Sequence, residues 1–306
     1  MKEFCFEGKL LKTEENRAAM RSPAALEEAR GNQTVLESVC YLCDSEQNLY
    51  VKLGTIDGII PKSEGALGAE EGRMKDIAFI SKVGKPVQFV IREFVKDGAD
   101  IMAICSRAAV QAQCRQQYIQ ALQPGDVLEV KVTHLDRFGA FVDVGAGLNS
   151  LIPIDMLSVS RIAHPRQRVS EGQVLRCVLK SKADGKLTLS LRELLGTWEE
   201  NAAHFEAGQT VQGIVRSIEN YGVFIELAPN LAGLAEYSDT VSTGQAVAVY
   251  IKSIIPEKMK IKLSIIDSFE PPEPTALEYY YTGAHMDAWR YSPDGCEKVI
   301  ETVFTA

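Results

Sequence analysis

Phe138 and Phe141 flank Gly139, and 83 residues later Tyr221 and Phe224 flank Gly222 in the same arrangement. A flat ring gives a nucleobase a surface to stack on, and an ammonium group beside it neutralises a phosphate. Lysines stand at suitable places. Lys186 opens Lys186-Leu-Thr-Leu-Ser190, and Lys260 and Lys262 lie in Lys260-Ile-Lys-Leu-Ser264. An earlier, fainter copy supplies Tyr50 and Lys52 in Tyr50-Val-Lys-Leu53. The chemistry these residues imply is non-covalent binding of single-stranded nucleic acid, provided that the rings face water.

Strand periodicity decides that question. In Phe141-Val-Asp-Val144 alternate residues share a face. Burying Asp143 unpaired would be costly, so Val142 and Val144 are expected in the core, with Phe141 and Asp143 outside. The same reasoning exposes Phe224 beside Glu226 and Tyr50 beside Lys52. Phe138 and Tyr221 would point inward on an unbroken strand. Gly139 and Gly222 are therefore expected to form bulges that reset the alternation. On the closing strands Leu187, Leu189, Ile261 and Leu263 face in, which leaves Lys186, Thr188, Lys260 and Lys262 outside. One exposed aromatic is ordinary half-buried strand packing; the same exposed aromatic in three copies points to a surface with a use.

The elements that carry these residues repeat. Gly125, Phe138, Gly139, Phe141 and Leu151 recur as Gly208, Tyr221, Gly222, Phe224 and Leu234, the signature of a repeated unit. Each unit is a series of short alternating segments punctuated by glycine, which predicts an all-β fold of tandem, closed five-stranded barrels. Short helices are expected between them. Ser22-Pro23 caps one that stops at Gly31, Ala108 to Leu122 is amphipathic, and Thr197-Trp-Glu-Glu200 is a capping box. The expected organisation is an N-terminal segment over 1–31, barrels over 32–107, 122–195 and 207–268, connectors over 108–121 and 196–206, and an acidic, Pro- and aromatic-rich tail over 269–306.

The composition excludes several classes. The 306 residues are 46% hydrophobic and 24% charged, enough for sizeable cores. No apolar run is long enough to cross a bilayer, so a cytoplasmic protein is expected. The seven cysteines, Cys5, Cys40, Cys43, Cys105, Cys114, Cys177 and Cys296, do not form a disulfide framework. Cys40 and Cys43 are half a zinc site without a second half, and the four histidines have no neighbours at ligand or triad spacing. No metal, cofactor or enzymatic activity is expected. The net charge of -8 argues against a phosphate-rich partner, yet its distribution is uneven. From Arg161 to Arg192 eight basic residues, among them Arg161, Arg166 and Arg168, face two acidic ones. In the tail, Phe269 to Pro274 predicts a stiff linker, and the aromatics after it are expected to pack on the third barrel.

These positions resemble the S1 RNA-binding repeat, a family named after the largest protein of the bacterial small ribosomal subunit. The second unit carries the pattern as Gly125-Asp-Val-Leu-Glu-Val130, Arg137-Phe-Gly-Ala-Phe-Val142, Ser150-Leu-Ile-Pro153 and Gly185-Lys-Leu-Thr-Leu-Ser190. The third carries it from Gly208 to Val215, Tyr221 to Ile225, at Gly233-Leu234 and from Lys260 to Ser264. Trp198 to Phe205 resembles the family's linker between repeats. The resemblance implies an oligonucleotide-binding barrel whose RNA surface uses Phe138, Phe141 and Lys186, then Tyr221, Phe224 and Lys260; Arg137 falls inside the same motif. It departs from the family at Pro153 and Glu236, which stand where many members have a histidine. Gly58-Ile-Ile-Pro-Lys-Ser-Glu64 resembles the leading repeats of the ribosomal protein, which implies protein contact for the first unit, with the small ribosomal subunit as partner. The implied function is binding of single-stranded RNA, messenger RNA included, in translation or RNA metabolism. The competing reading is a scaffold that recruits the ribosome or a nuclease, with RNA binding secondary.

Overall fold

A computed structural model describes residues 4–72, 74–97, 100–183, 185–270 and 277–305. It divides the chain into two compact units, Met1–Leu122 with Asp143–Asn149, and Gln123–Val142 with Ser150–Ala306. Three closed five-stranded barrels account for most of the described residues. The first contains β1 (Leu36–Cys43), β2 (Leu49–Leu53), β3 (Ile56–Ile60), β4 (Pro86–Asp97) and β5 (Asp100–Ser106). The second contains β6 (Val127–Asp136), β7 (Gly139–Asp143), β8 (Asn149–Pro153), β9 (Val174–Ala183) and β10 (Lys186–Ser190). The third contains β11 (Thr210–Glu219), β12 (Gly222–Ala228), β13 (Leu231–Ala235), β14 (Ala246–Ile255) and β15 (Lys260–Phe269).

Each barrel has the same strand order, first-second-third-fifth-fourth, closed by the first strand against the fourth. The third and fifth strands pair in parallel, as Ile59 with Ile104, Leu151 with Thr188, and Leu234 with Lys262. Closure leaves no unpaired edge. It also leaves one inward face per strand. In the second barrel that face is Val130, Val132, Ala140, Val142, Ile152, Leu175, Cys177, Leu179, Leu187 and Leu189, all buried. The expected tandem barrels with intervening helices are thus what the chain forms.

In the first unit, α1 (Glu14–Ala19) and α2 (Pro23–Gly31) precede the barrel. Ser22 Oγ accepts from the Ala25 amide, with Pro23 in the first helical position, as the sequence predicts. A short α3 (Ile77–Ile80) follows the third strand, and α4 (Arg107–Cys114) continues into a π-helical turn through Ile119. A buried polar cluster holds the chain start. Glu7 accepts from Arg107 Nε at 2.6 Å and Lys82 Nζ at 2.9 Å, and its amide donates to Asp143 at 2.7 Å. Burial alone would raise the Glu7 carboxyl, but the Arg107 and Lys82 cations outweigh it and hold the pKa at about 2.

Asp143 corrects an expectation. It is buried rather than on the wet face, because the amides of Glu7, Gly145 and Gly147 satisfy its carboxylate. Burial pushes its pKa up to about 6.

The second unit joins two barrels through α5 (Trp198–Ala202), whose capping box of Thr197 and Glu200 is present. Glu226 is the second correction. Its side chain is only 6% exposed and is gripped by two guanidinium groups, Arg168 of the second barrel and Arg216 of the third, at 2.6 and 2.8 Å. Asn230 adds neutral bonds: its amide nitrogen donates to the carbonyls of Arg192 and Gly196, and its oxygen accepts from the Val159 amide. The tail braces the same pair. Arg176 donates to the carbonyls of Tyr281, Thr282 and Gly283, while Trp289 and Tyr291 join the apolar cluster of Val178, Leu194, Trp198 and the third barrel. Its strands β16 (Ala288–Arg290) and β17 (Glu301–Val303) form a small hairpin. The linker expected over Phe269 to Pro274 lies, from residue 271 on, outside the described residues.

Removing Glu226 leaves two buried guanidinium groups without a counter-charge, a loss of about 3–5 kcal/mol. Glu226→Ala should therefore lower the urea midpoint of the second unit sharply; a shift worth under about 1 kcal/mol would show that the cluster does not hold the barrels together.

Candidate nucleic-acid interface

In the second barrel β7 starts at Gly139, so Phe138 lies in the turn before it rather than on the strand. The expected bulge at the glycine is therefore replaced by a strand that begins there. A Cβ on Gly139 would sit 2.4 Å from the Ile152 carbonyl oxygen, so only glycine lets β7 start this close to β8. The turn frees Phe138 from strand alternation and leaves it 52% exposed. Its ring meets Phe141 edge to face, with centroids 5.7 Å apart and planes at 88°. His134 stacks on the other flank, 6.2 Å from Phe141 at 22°. Three rings thus form one exposed group where the sequence identified two.

Basic residues near this barrel divide into distinct groups. Lys186, Arg137, Arg161 and Arg166 are exposed. Arg168 is not: it is 5% exposed and committed to Glu226 and Ser158, so its role is joining barrels rather than meeting phosphate. Among the residues counted in the basic run, Asp184 lies outside the described residues.

The third barrel repeats the construction. β12 starts at Gly222, whose φ of 153° and whose Cβ position 2.4 Å from the Ala235 carbonyl oxygen both demand glycine. Tyr221 in the preceding turn is 69% exposed and meets Phe224 edge to face at 6.1 Å and 89°. Both rings line a groove of about 650 Å³ with Leu234, Glu236, Lys252, Met259, Lys260 and Lys262. Lys260 and Lys262 point out, as the alternation with buried Ile261 and Leu263 requires. Ser217 replaces the third ring of the second barrel, because it pairs with Phe224 at the place His134 takes beside Phe141.

The first barrel is built differently. Tyr50 is half-buried and its hydroxyl donates to Asp44, and Lys52 pairs with Asp57 at 2.7 Å. The ring beside Tyr50 is Tyr41, at 6.4 Å, whose hydroxyl donates to Asp57 and whose face carries the Lys52 ammonium at 5.1 Å. Its polar groups are thus largely spent on each other.

Each barrel also places a cation that strand alternation alone could not locate. The fourth strand skips one residue of its register against the fifth: Arg92 between Ile91 and Glu93, Lys180 between Leu179 and Ser181, and Lys252 between Ile251 and Ser253. Such a bulge turns its extra residue away from the pattern on either side. A similar skip on the first strand turns Tyr41 outward in the first barrel and sets Arg216 against Glu226 in the third. A bulge consumes one residue without any mark in the alternation, so periodicity misses these side chains; for Arg92, Lys180 and Lys252 the available signal is a basic residue at one aligned position.

Among the described residues no helix is long and apolar enough to cross a membrane, and no group of three His, Cys, Asp or Glu side chains could hold a metal ion. Residues 121–192 match the family model described as S1 RNA binding domain. The small ribosomal subunit protein bS1 homolog of Bacillus subtilis is 29% identical over 66% of this chain and 56% of its own length. The small ribosomal subunit protein bS1 of Staphylococcus aureus is 31% identical over 60% of this chain and 50% of its own. The chain thus spans about half the length of these relatives. A crystal structure of a multidomain protein with nucleic acid binding domains from Streptococcus pneumoniae is similar over 78% of this chain and 75% of that one, at 16% identity and a TM-score of 0.26. The match over 121–192 spans β6 to β10, with the ring group of Phe138 and Phe141 and the lysine that opens the last strand. Residues 121–192, the second barrel, are therefore similar to the S1 RNA binding domain.

Proposed function

We propose that the chain binds single-stranded RNA along its second and third barrels and serves translation, with messenger RNA as the ligand. The observation that carries this reading is the recurrence of one arrangement: an edge-to-face ring pair beside a glycine that opens the second strand, next to a closing strand with an outward lysine. Phe138, Phe141, Tyr221 and Phe224 are the stacking surfaces, with His134 as a third ring. Lys186, Lys260 and Lys262, with Arg137, Arg161 and Arg166, are the phosphate partners. The names of the relatives support translation as the process and the small ribosomal subunit as the setting, and a cytoplasmic location follows from it. The units proposed to act are 122–195 and 207–268, with 108–121 and 196–206 as connectors.

The unit over 32–107 is assigned the lesser share. Its tyrosine hydroxyls are engaged by Asp44 and Asp57, and Val39, Leu42, Ile77 and Ile80 are exposed. Those apolar side chains favour a protein contact there, the part of the scaffold reading that keeps an observation behind it.

Base stacking is worth roughly 1–3 kcal/mol per base. In titrations of a labelled RNA oligomer followed by fluorescence anisotropy, Phe138→Ala with Phe141→Ala should weaken binding by about that amount per lost stack, and the far-UV spectrum should not change. Tyr50→Ala should cost less than about twofold, and the reverse ranking would move the interface to the first barrel. Raising the salt should weaken binding with a log-log slope of roughly -0.7 per phosphate contacted; a flat response would remove the lysines and arginines from the interface.

A further inference from the structure

The third barrel holds a charged pair inside its groove, and the pair occupies a place where the S1 pattern departs from its usual histidine. Glu236 directly follows β13. Val223 pairs with Ala235, so one further step of the register sets Glu236 across from Gly222, next to Tyr221. Lys252 is the bulge residue of β14, and the bulge aims it into the same groove. Its Nζ lies 2.8 Å from Glu236 Oε1. That hydrogen bond and the charge behind it hold the Glu236 carboxyl below its usual range, so it is ionised at neutral pH.

Read along the pair, the groove presents one donor and two acceptors in a row: the Lys252 ammonium, then Glu236 Oε1, then Oε2. This is the order on the pairing edge of cytosine. Its complement is guanine, which offers the O6 acceptor and the N1–H and N2–H donors. Uracil has a single N–H between two carbonyls, so its second carbonyl would face a carboxylate oxygen. Adenine and cytosine each bring one amino group and no second donor beside it. Splayed-out bases of single strands are read on this edge while their faces stack on aromatic rings, and Tyr221 and Phe224 supply the rings in the same groove.

We propose that Glu236, positioned by Lys252, makes the third barrel selective for guanine, while the second barrel, with Pro153 at the corresponding place, is tolerant of base identity. The inference rests on the RNA-binding reading and adds a base preference to one of its two surfaces. Bidentate recognition of a base gives roughly tenfold discrimination or more in a sheltered site. Glu236 is 87% exposed, so water competes, and a preference of about fivefold is expected.

The test uses the full chain and two hexamers, oligouridine and the same oligomer with one central guanosine, in competition by fluorescence anisotropy. The expected result is about fivefold tighter binding of the guanosine oligomer, a ratio that falls to one in Glu236→Ala. Inosine, which lacks the N2 amino group, should recover only part of the preference. The preference should persist when Phe138→Ala and Phe141→Ala disable the second barrel. Equal affinity for the two hexamers in the unaltered chain, or a guanosine preference that survives Glu236→Ala, overturns the proposal while the RNA-binding reading stands. Binding of neither hexamer overturns the RNA-binding reading, and the base preference with it.

Discussion

The interior of a five-stranded barrel is narrow, and the outward placing of the rings and lysines follows from what it admits. In the second and third barrels the inward positions are small or aliphatic, from Val142 and Leu189 in one to Ile225 and Leu263 in the other. Strand alternation then sends every other residue outward. Rings and lysines on those positions meet solvent because the core has no room for them. Phe138 and Tyr221 go further, since a glycine at the start of the second strand leaves them in a turn free of alternation. The proposed binding surface is thus a by-product of closing the barrel.

Electrostatics serves the joining of the barrels as well as their exposed faces. Arg168 belongs by sequence to the most basic stretch of the chain, yet it is buried against Glu226 together with Arg216. Buried ion pairs of this kind seldom add stability relative to apolar packing, but removing one partner is severe. The arrangement therefore fixes which surfaces of the two barrels meet. Glu7 acts similarly in the first unit, where Arg107, Lys82 and the Asp143 carboxylate tie the chain start to elements far along the sequence. Part of the basic run is structural, so the cations left for the proposed RNA surface are fewer than a count from sequence suggests.

Much of this is legible in the amino-acid sequence. The 83-residue repeat, the inward Val142, Val144, Leu187 and Leu189, the outward Lys186 and Lys260, and the caps at Ser22 and Thr197 depend on local rules of periodicity and hydrogen bonding. The rest depends on groups that local rules do not see. Strand periodicity puts Asp143 and Glu226 outside because an unpaired buried carboxylate is costly, but the amides and guanidinium groups that pair them come from residues distant in sequence or brought in by loops. Tyr41 and Lys252 escape strand alternation because a bulge shifts parity by one without a local signature. His134 has no metal or catalytic partner at sequence spacing, and its ring neighbour in the fold is Phe141.

The central claim is that RNA lies on the ring pairs of the second and third barrels. Photocrosslinking of the full chain to a short RNA containing 4-thiouridine, with the crosslinked peptides mapped by mass spectrometry, tests it most directly. The account predicts crosslinks in the peptides that contain Phe138, Phe141, Tyr221 and Phe224. Crosslinks confined to the first barrel or to the tail after residue 276 would contradict it.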